Sequence, residues 1–220
     1  MSAVPNSVNI LLTDIMAAVP GASNDLISCF ANANPYKFDP AYNNDTYSPP
    51  GYALRFRNYG GLHYLGESFG GGTIVYTDAY NHGLIVSNNY LTDSGSIWIR
   101  WYNGANRASI STSSAYGYGL SNTNNIIATI GASGVAATVC KAYTGGGYSD
   151  WYLPSIDEGF KILDCYNAGL LPNLIGGSQP KIWTSSQYDA VYAYYIDLYN
   201  SSYQWMDDYN QNFVRAVRSF

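Results

Sequence analysis

Residues 182–214 contain no lysine and no arginine, yet they carry seven tyrosines: Tyr188, Tyr192, Tyr194, Tyr195, Tyr199, Tyr203 and Tyr209. Asp189, Asp197, Asp207 and Asp208 are interleaved with them, and Trp205 and Phe213 add further aromatic surface. The run YYIDLY alternates, which places Ile196 and Leu198 on one face of a strand and Tyr195, Asp197 and Tyr199 on the other. A strand pair with one apolar face can bury Ile196 and Leu198 but not every tyrosine as well. Several tyrosines must therefore line an exposed face, and an exposed aromatic cluster set among carboxylates is a binding surface.

Composition supports this direction. The 220 residues include 23 tyrosines, with Asn, Ser and Gly abundant, the residue set of antibody paratopes. Tyrosine offers large contact area with few torsions to freeze, and a hydroxyl that donates or accepts. Charged residues are 11 % of the chain against roughly 25 % in an ordinary soluble domain. A net charge of −5 excludes the dense basic footprint of a nucleic-acid groove. No apolar run approaches the roughly 20 residues that span a bilayer. The first basic residue is Lys37, so the N-terminus lacks the basic region expected of a secretory signal. Three cysteines, Cys29, Cys140 and Cys165, suit neither a disulfide framework nor a zinc knuckle.

Two regions differ in character. In residues 1–60, apolar positions recur at helical spacing over 9–18 and 23–33, with Ser23 as N-cap and Pro20-Gly21 between them. A Pro- and Asn-rich loop follows over 38–52. This segment is too small for a core of its own and is expected to serve attachment or self-association. Residues 61–220 read as one mixed α+β domain. GGTIVYTD (71–78) and GLIVS (83–87) are expected strands joined across AYNH. In SIWIRWYNG, Ile97, Ile99 and Trp101 share a face and Asn103-Gly104 forms a hairpin turn. The spacing predicts a helix over 123–143, weakened by Gly131 and Gly134. A capping box, Ser155-Ile156-Asp157-Glu158, predicts another over about 156–167, with Asp157 and Glu158 serving the helix start rather than catalysis. FVRAVRSF closes the chain as a strand.

No nucleophile elbow, phosphate loop, HExxH or CxxC is present, and His63 and His82 are the only histidines. The GGG runs at 70–72 and 145–147 lack a following Lys-Ser/Thr and read as tight turns. Cys140 and Cys165 fall on helix faces, where free cysteine is a small buried hydrophobe. Asp150, Asp157, Glu158 and Asp207-Asp208 follow no calcium-loop spacing. The expectation is a binding protein without enzymatic activity, metal or cofactor.

Four ordered blocks then carry a resemblance: GGTIVYTDAYNHGLIVS (71–87), GGGYSDWYLPSIDEGFKIL (145–163), WTSSQYD (183–189) and VRAVRSF (214–220). Together they resemble a bacterial and phage family of C-type-lectin-like domains, which implies two helices flanking small antiparallel sheets over about 71–220. Some members are variable proteins of diversity-generating retroelements. In these, copying errors at adenines convert Asn codons to Tyr, Asp, Ser, Phe, Ile or Val but never to Lys, Glu or Gln. The stretch between WTSSQ and VRAVRSF lacks Lys and Glu, while Gln204, Trp205, Met206 and Gln211 lie outside the reachable set. The resemblance implies that 182–214 is the variable region. On it, Tyr188, Asp189, Tyr192, Tyr195, Asp197, Tyr199, Tyr203, Asp207, Asp208, Tyr209, Asn210, Asn212 and Phe213 would face the ligand, with Trp205 as further aromatic surface. Asp150 and Trp151 would be structural, Asp150 accepting from Arg215 or from backbone amides near Trp151.

Residues 10–42 with LRFRNYG (54–60) resemble the start of appendage proteins of phages of Bacteroides-type hosts. This implies a virion location at a tail tip or fibre, contacts with other tail proteins, and a homo-oligomer, a trimer by analogy with fibre tips. The partner would be a host cell-surface protein or glycan. Two rivals share the broad fold: an undiversified bacterial surface adhesin or glycan-binding module, and an enzyme of the formylglycine-generating type.

Overall fold

Ser155 begins the best-defined helix as its sequence dictates. Its hydroxyl accepts from the Glu158 amide at 3.4 Å, and the Glu158 carboxylate accepts from the Ser155 amide at 2.8 Å. The helix spans Ile156–Asn167. Glu158 is fully buried and also accepts from Gly117 N and the Tyr152 hydroxyl. Burial raises its pKa against these hydrogen bonds.

The computed structural model describes residues 12–22, 29, 32–33, 63–104, 107–131, 133–171 and 180–220. It divides into two units, residues 1–67 with 77–82, and residues 68–76 with 83–220. In the first, α1 (Leu12–Ala18) buries Ile15 and Ala18 together with Val19 and Cys29. Asp78 closes its 78–82 turn, accepting from the Tyr80 and His82 amides. The expected helix over 23–33, save residues 29, 32 and 33, and the segment 34–60 lie outside the described residues.

The second unit is mixed α+β with small antiparallel sheets. One sheet has the order β1 (Ser68–Phe69), β2 (Gly72–Thr77), β3 (Gly83–Ser87) and β9 (Val217–Ser219). Leu84, Ile85 and Val86 pair with Ser219, Arg218 and Val217, so the C-terminal VRAVRSF closes on GLIVS. Its helices are α2 (Gly119–Ile130), α3 (Ala136–Ala142) and α4, the capped helix above. The single helix expected over 123–143 is in fact two. Gly131 takes up the left-handed conformation (φ 61°) as C-cap of α2, and the chain restarts at Val135. The two GGG turns lie against each other: a Cβ on Gly71 would stand 2.5 Å from the Gly145 carbonyl oxygen.

The second sheet, β5 (Lys181–Gln187), β6 (Tyr192–Asp197) and β7 (Ser202–Asp207), carries the aromatic stretch. Its β5–β6 register shifts between Trp183↔Tyr195 and Gln187↔Ala193, so Thr184-Ser185-Ser186 bulges. All three bulged residues are buried, and their polar groups are used. Ser185 N donates to Pro154 O (2.7 Å), Ser186 Oγ donates to Ser113 O (3.0 Å), and Asn122 of α2 donates to Ser185 Oγ (3.1 Å). The short strands β4 (Ile99–Arg100) and β8 (Gln211–Asn212) pair with each other, not with adjacent segments, so Asn103-Gly104 makes no hairpin turn. Ile99 and Trp101 are buried as expected, whereas Ile97 on the same expected face is 37 % exposed.

Two indoles fasten β4 to β5. Trp101 Nε1 donates to Thr184 O at 2.7 Å, and Trp183 Nε1 donates to Ile99 O at 2.8 Å. Both rings are fully buried. Trp101→Phe and Trp183→Phe each leave a buried carbonyl unpaired and a gap in the packing. Each is expected to lower unfolding free energy by roughly 2–4 kcal/mol in urea melts.

Candidate ligand-binding face

On one face of the β5–β7 sheet the register sets Tyr194 opposite Trp205 and Ile196 opposite Tyr203. Tyr188, at the end of β5, stacks on Trp205 with ring centres 4.9 Å apart and planes 12° from parallel. Tyr194 meets Tyr188 edge-on at 5.5 Å and leans on Tyr203 at 5.8 Å. Tyr188, Tyr203 and Trp205 remain about half exposed. Beside them lies a cleft of about 370 Å³ whose lining includes Ser114, Asp157, Phe160, Gln187, Tyr194 and Tyr203. Phe160, one turn into α4, meets Tyr203 edge-on at 5.7 Å. Desolvation, then the neighbouring Tyr188 and Tyr203, raise the Tyr194 pKa.

Frame residues hold this face in place. A Cβ on Gly159 would lie 2.6 Å from Ile196 Cγ1, so α4 packs tightly on the Ile196 end of the sheet and leaves the Tyr194–Trp205 end open. Gln187 is fixed at both ends of its amide, its carbonyl accepting from Ile110 N (2.6 Å) and its NH2 donating to Ala108 O (3.0 Å).

The expected ligand-facing residues divide in three. Tyr188, Asp189, Tyr192, Tyr199, Tyr203, Trp205 and Asn210 are exposed, and Asp207 and Tyr209 are half-buried. Tyr195, Asp197, Asp208, Asn212 and Phe213 are buried, which corrects their placement on a solvent face. Tyr195 packs edge-on against Trp183 at 6.3 Å, because β6 is the central strand and is covered on that side too. Phe213 stacks between Tyr90 (4.4 Å) and Trp98 (4.6 Å), and Asn212 belongs to the β4–β8 pair.

The aspartates are largely turn braces. Asp189 accepts from Val191 N and Tyr192 N, and Asp197 from Tyr199 N and Asn200 N. Asp207 accepts from Tyr209 N and is paired with Arg107 Nη2. An Asp side chain bonding the amide two residues on is an Asx turn, which stiffens each strand connection. Arg107 also lies 4.1 Å over the Tyr209 ring. Its Nε is 3.1 Å from Asp208 Oδ1, close enough for attraction but outside hydrogen-bond alignment.

Residues that sequence reasoning missed are Tyr194, Phe160, Asp157, Gln187 and Ser114 as cleft walls, and Trp98, 50 % exposed beside Lys181, Met206 and Asn210. Phe160 and Asp157 were readable as one side of the capped helix, but nothing local said that this side would meet β6. The cleft lining contains neither histidine nor cysteine among the described residues. The Cys165 thiol donates to Val75 O, and burial pushes its pKa up to about 12; Cys140 is fully buried with its pKa raised well above normal. No group of three or more His, Cys, Asp or Glu among the described residues could hold a metal ion. None of the described helices is long and apolar enough to cross a membrane. Asp150 pairs with Arg218, not Arg215, through Nε (2.8 Å) and Nη2 (3.0 Å).

Desolvation raises the Asp208 pKa from 3.8 to about 6, against the attraction of Arg107 and with the repulsion of Asp207 and Asp189. The folded protein therefore holds this proton more tightly than the unfolded chain. The stability it contributes is full below pH 3.8 and is lost as pH rises through about 6. Asp208→Asn is expected to remove a decline of roughly 2–3 kcal/mol between pH 4 and 7, read from denaturant melts across that range.

The model of one family, the Lcl C-terminal domain, matches residues 92–218, more than half of the chain. No curated protein matches it.

Proposed function

Because this chain belongs to the Lcl C-terminal domain family, we propose that it is a receptor-binding protein of C-type-lectin-like fold that recognises its partner through the Tyr188–Tyr194–Tyr203–Trp205 cluster and performs no chemistry. One observation carries this reading: Tyr188 and Trp205 stack on each other while each keeps about half its surface in water. Rings fixed by one another lose little freedom on binding, so their apolar contact goes into affinity. Asp157, on the wall of the adjoining cleft, supplies a polar contact at the edge.

The partner is a host cell-surface protein or glycan. The setting is a phage tail tip or fibre, with the N-terminal segment contacting other tail proteins and bringing copies together, as a trimer. Several copies on one particle turn weak single contacts into firm attachment. A retroelement would diversify the exposed positions, since Tyr188, Tyr203 and Asn210 are all residues reachable from Asn codons. A second reading, an undiversified adhesin, draws on Trp205: the largest ring of the cluster is not reachable that way. A near-copy of the 3′ end beside a reverse-transcriptase gene, differing only at template adenines, separates the two.

Tyr188→Ala, Tyr203→Ala and Trp205→Ala are each expected to stay within about 1 kcal/mol of wild-type stability, because the rings lie outside the core. Each is expected to weaken adsorption of the labelled chain to Bacteroides-type cells by about 2 kcal/mol, roughly thirtyfold. Folded variants that adsorb like wild type would remove the cluster from recognition.

A further inference from the structure

The resemblance gives Asp150 either Arg215 or backbone amides near Trp151 as donors. That carboxylate is taken by Arg218, and Arg215 is left 1 % exposed with Nε and Nη1 buried and without an acceptor. Arg107 and Arg218 each face a carboxylate, and Arg100 is exposed. Among the described residues, Arg215 is therefore the arginine that is buried with no anionic partner. Its Cζ lies 5.4 Å from the centre of the Tyr90 ring. Burial lowers its pKa only to about 10, with Tyr90 and Tyr143 the nearby titratable groups, so it stays charged at neutral pH. Tyr90 cannot neutralise it, since burial pushes that phenol up to about 12. A desolvated ring face contributes about 2 kcal/mol, less than the several kcal/mol needed to bury an unpaired ion.

Tyr90 and Tyr143 also form part of the wall of a separate cavity of about 510 Å³, between the 89–93 segment and α3, with Asp93, Thr138 and Thr144 on its lining. We propose that this cavity admits a small monovalent anion, a halide or a carboxylate, which passes between Tyr90 and Tyr143 to meet the Arg215 guanidinium. The charge balance selects monovalent over divalent: one guanidinium is the available cation, and Asp93 already places a negative charge on the same cavity. A halide would use a single N–H contact, whereas a carboxylate would take two N–H groups of the guanidinium. This site is distinct from the aromatic cluster, and its failure would leave the recognition proposal standing.

The test uses the full chain in sodium HEPES at constant ionic strength, titrated separately with chloride, acetate and sulfate. Chloride and acetate are expected to raise the melting temperature saturably, and sulfate is not. The protein should broaden the ³⁵Cl resonance, and acetate but not sulfate should reverse the broadening. Arg215→Gln should weaken the apparent chloride affinity roughly tenfold or more, while Lys141→Gln on the exposed side of α3 leaves it unchanged. If Arg215→Gln does not fold, the ³⁵Cl competition on the wild-type chain decides. No saturable ³⁵Cl broadening together with no saturable stabilisation by acetate, an equal response to sulfate, or an unchanged affinity in folded Arg215→Gln would overturn the proposal. Acetate alone binding assigns the site to carboxylates, and chloride alone assigns it to halides.

Discussion

The reciprocal indole bonds of Trp101 and Trp183 hold together the parts on which the binding face rests. Each ring reaches across to a main-chain carbonyl of the other's strand, Thr184 and Ile99. Neither carbonyl has water to fall back on, so the two strands cannot separate without leaving buried acceptors empty. That tie holds β4 beside β5, and β8 pairs in turn with β4. The β5 bulge gives Ser185 and Ser186 to Pro154, Ser113 and Asn122. A single polar junction thus joins α2, the start of α4 and the aromatic sheet.

On this frame, the division between holding and recognising runs through single strands. Along β6, Tyr194 lies in the open cluster while Tyr195, the next residue, is packed on Trp183. The aspartates follow the same logic at the turns. Asp189, Asp197 and Asp207 each accept amides of the connection that follows, so the loops next to the aromatic cluster are braced before any partner arrives. A face built this way needs little ordering on contact.

Local signals were legible in the sequence wherever the cause was local. The Ser155–Glu158 box, the strands at 72–77 and 83–87, and the glycine turns were readable because capping, β-branching and φ > 0 act over a few residues. The split of 123–143 is half visible, since Gly131 and Gly134 weaken the helical pattern without marking a helix end and restart. Burial of Tyr195, Asp197, Asp208, Asn212 and Phe213 was not legible. It depends on β4 meeting β8, and on Ile182 lying beside Phe213, partners that alternation along one strand does not reveal. The exchange of Arg218 for Arg215 beside Asp150 has the same origin: Arg218 lies on β9, while Arg215 lies in the stretch before it.

The central claim is that Tyr188, Tyr203 and Trp205 form the contact surface, already in place before binding. Hydroxyl-radical footprinting of the chain, free and adsorbed to cells, tests this directly. The account predicts that these three rings oxidise readily in the free chain and are shielded on the cell, while Tyr118, half exposed elsewhere, reacts equally in both states. Unchanged oxidation of the three rings after adsorption, or resistance to oxidation in the free chain, would contradict it.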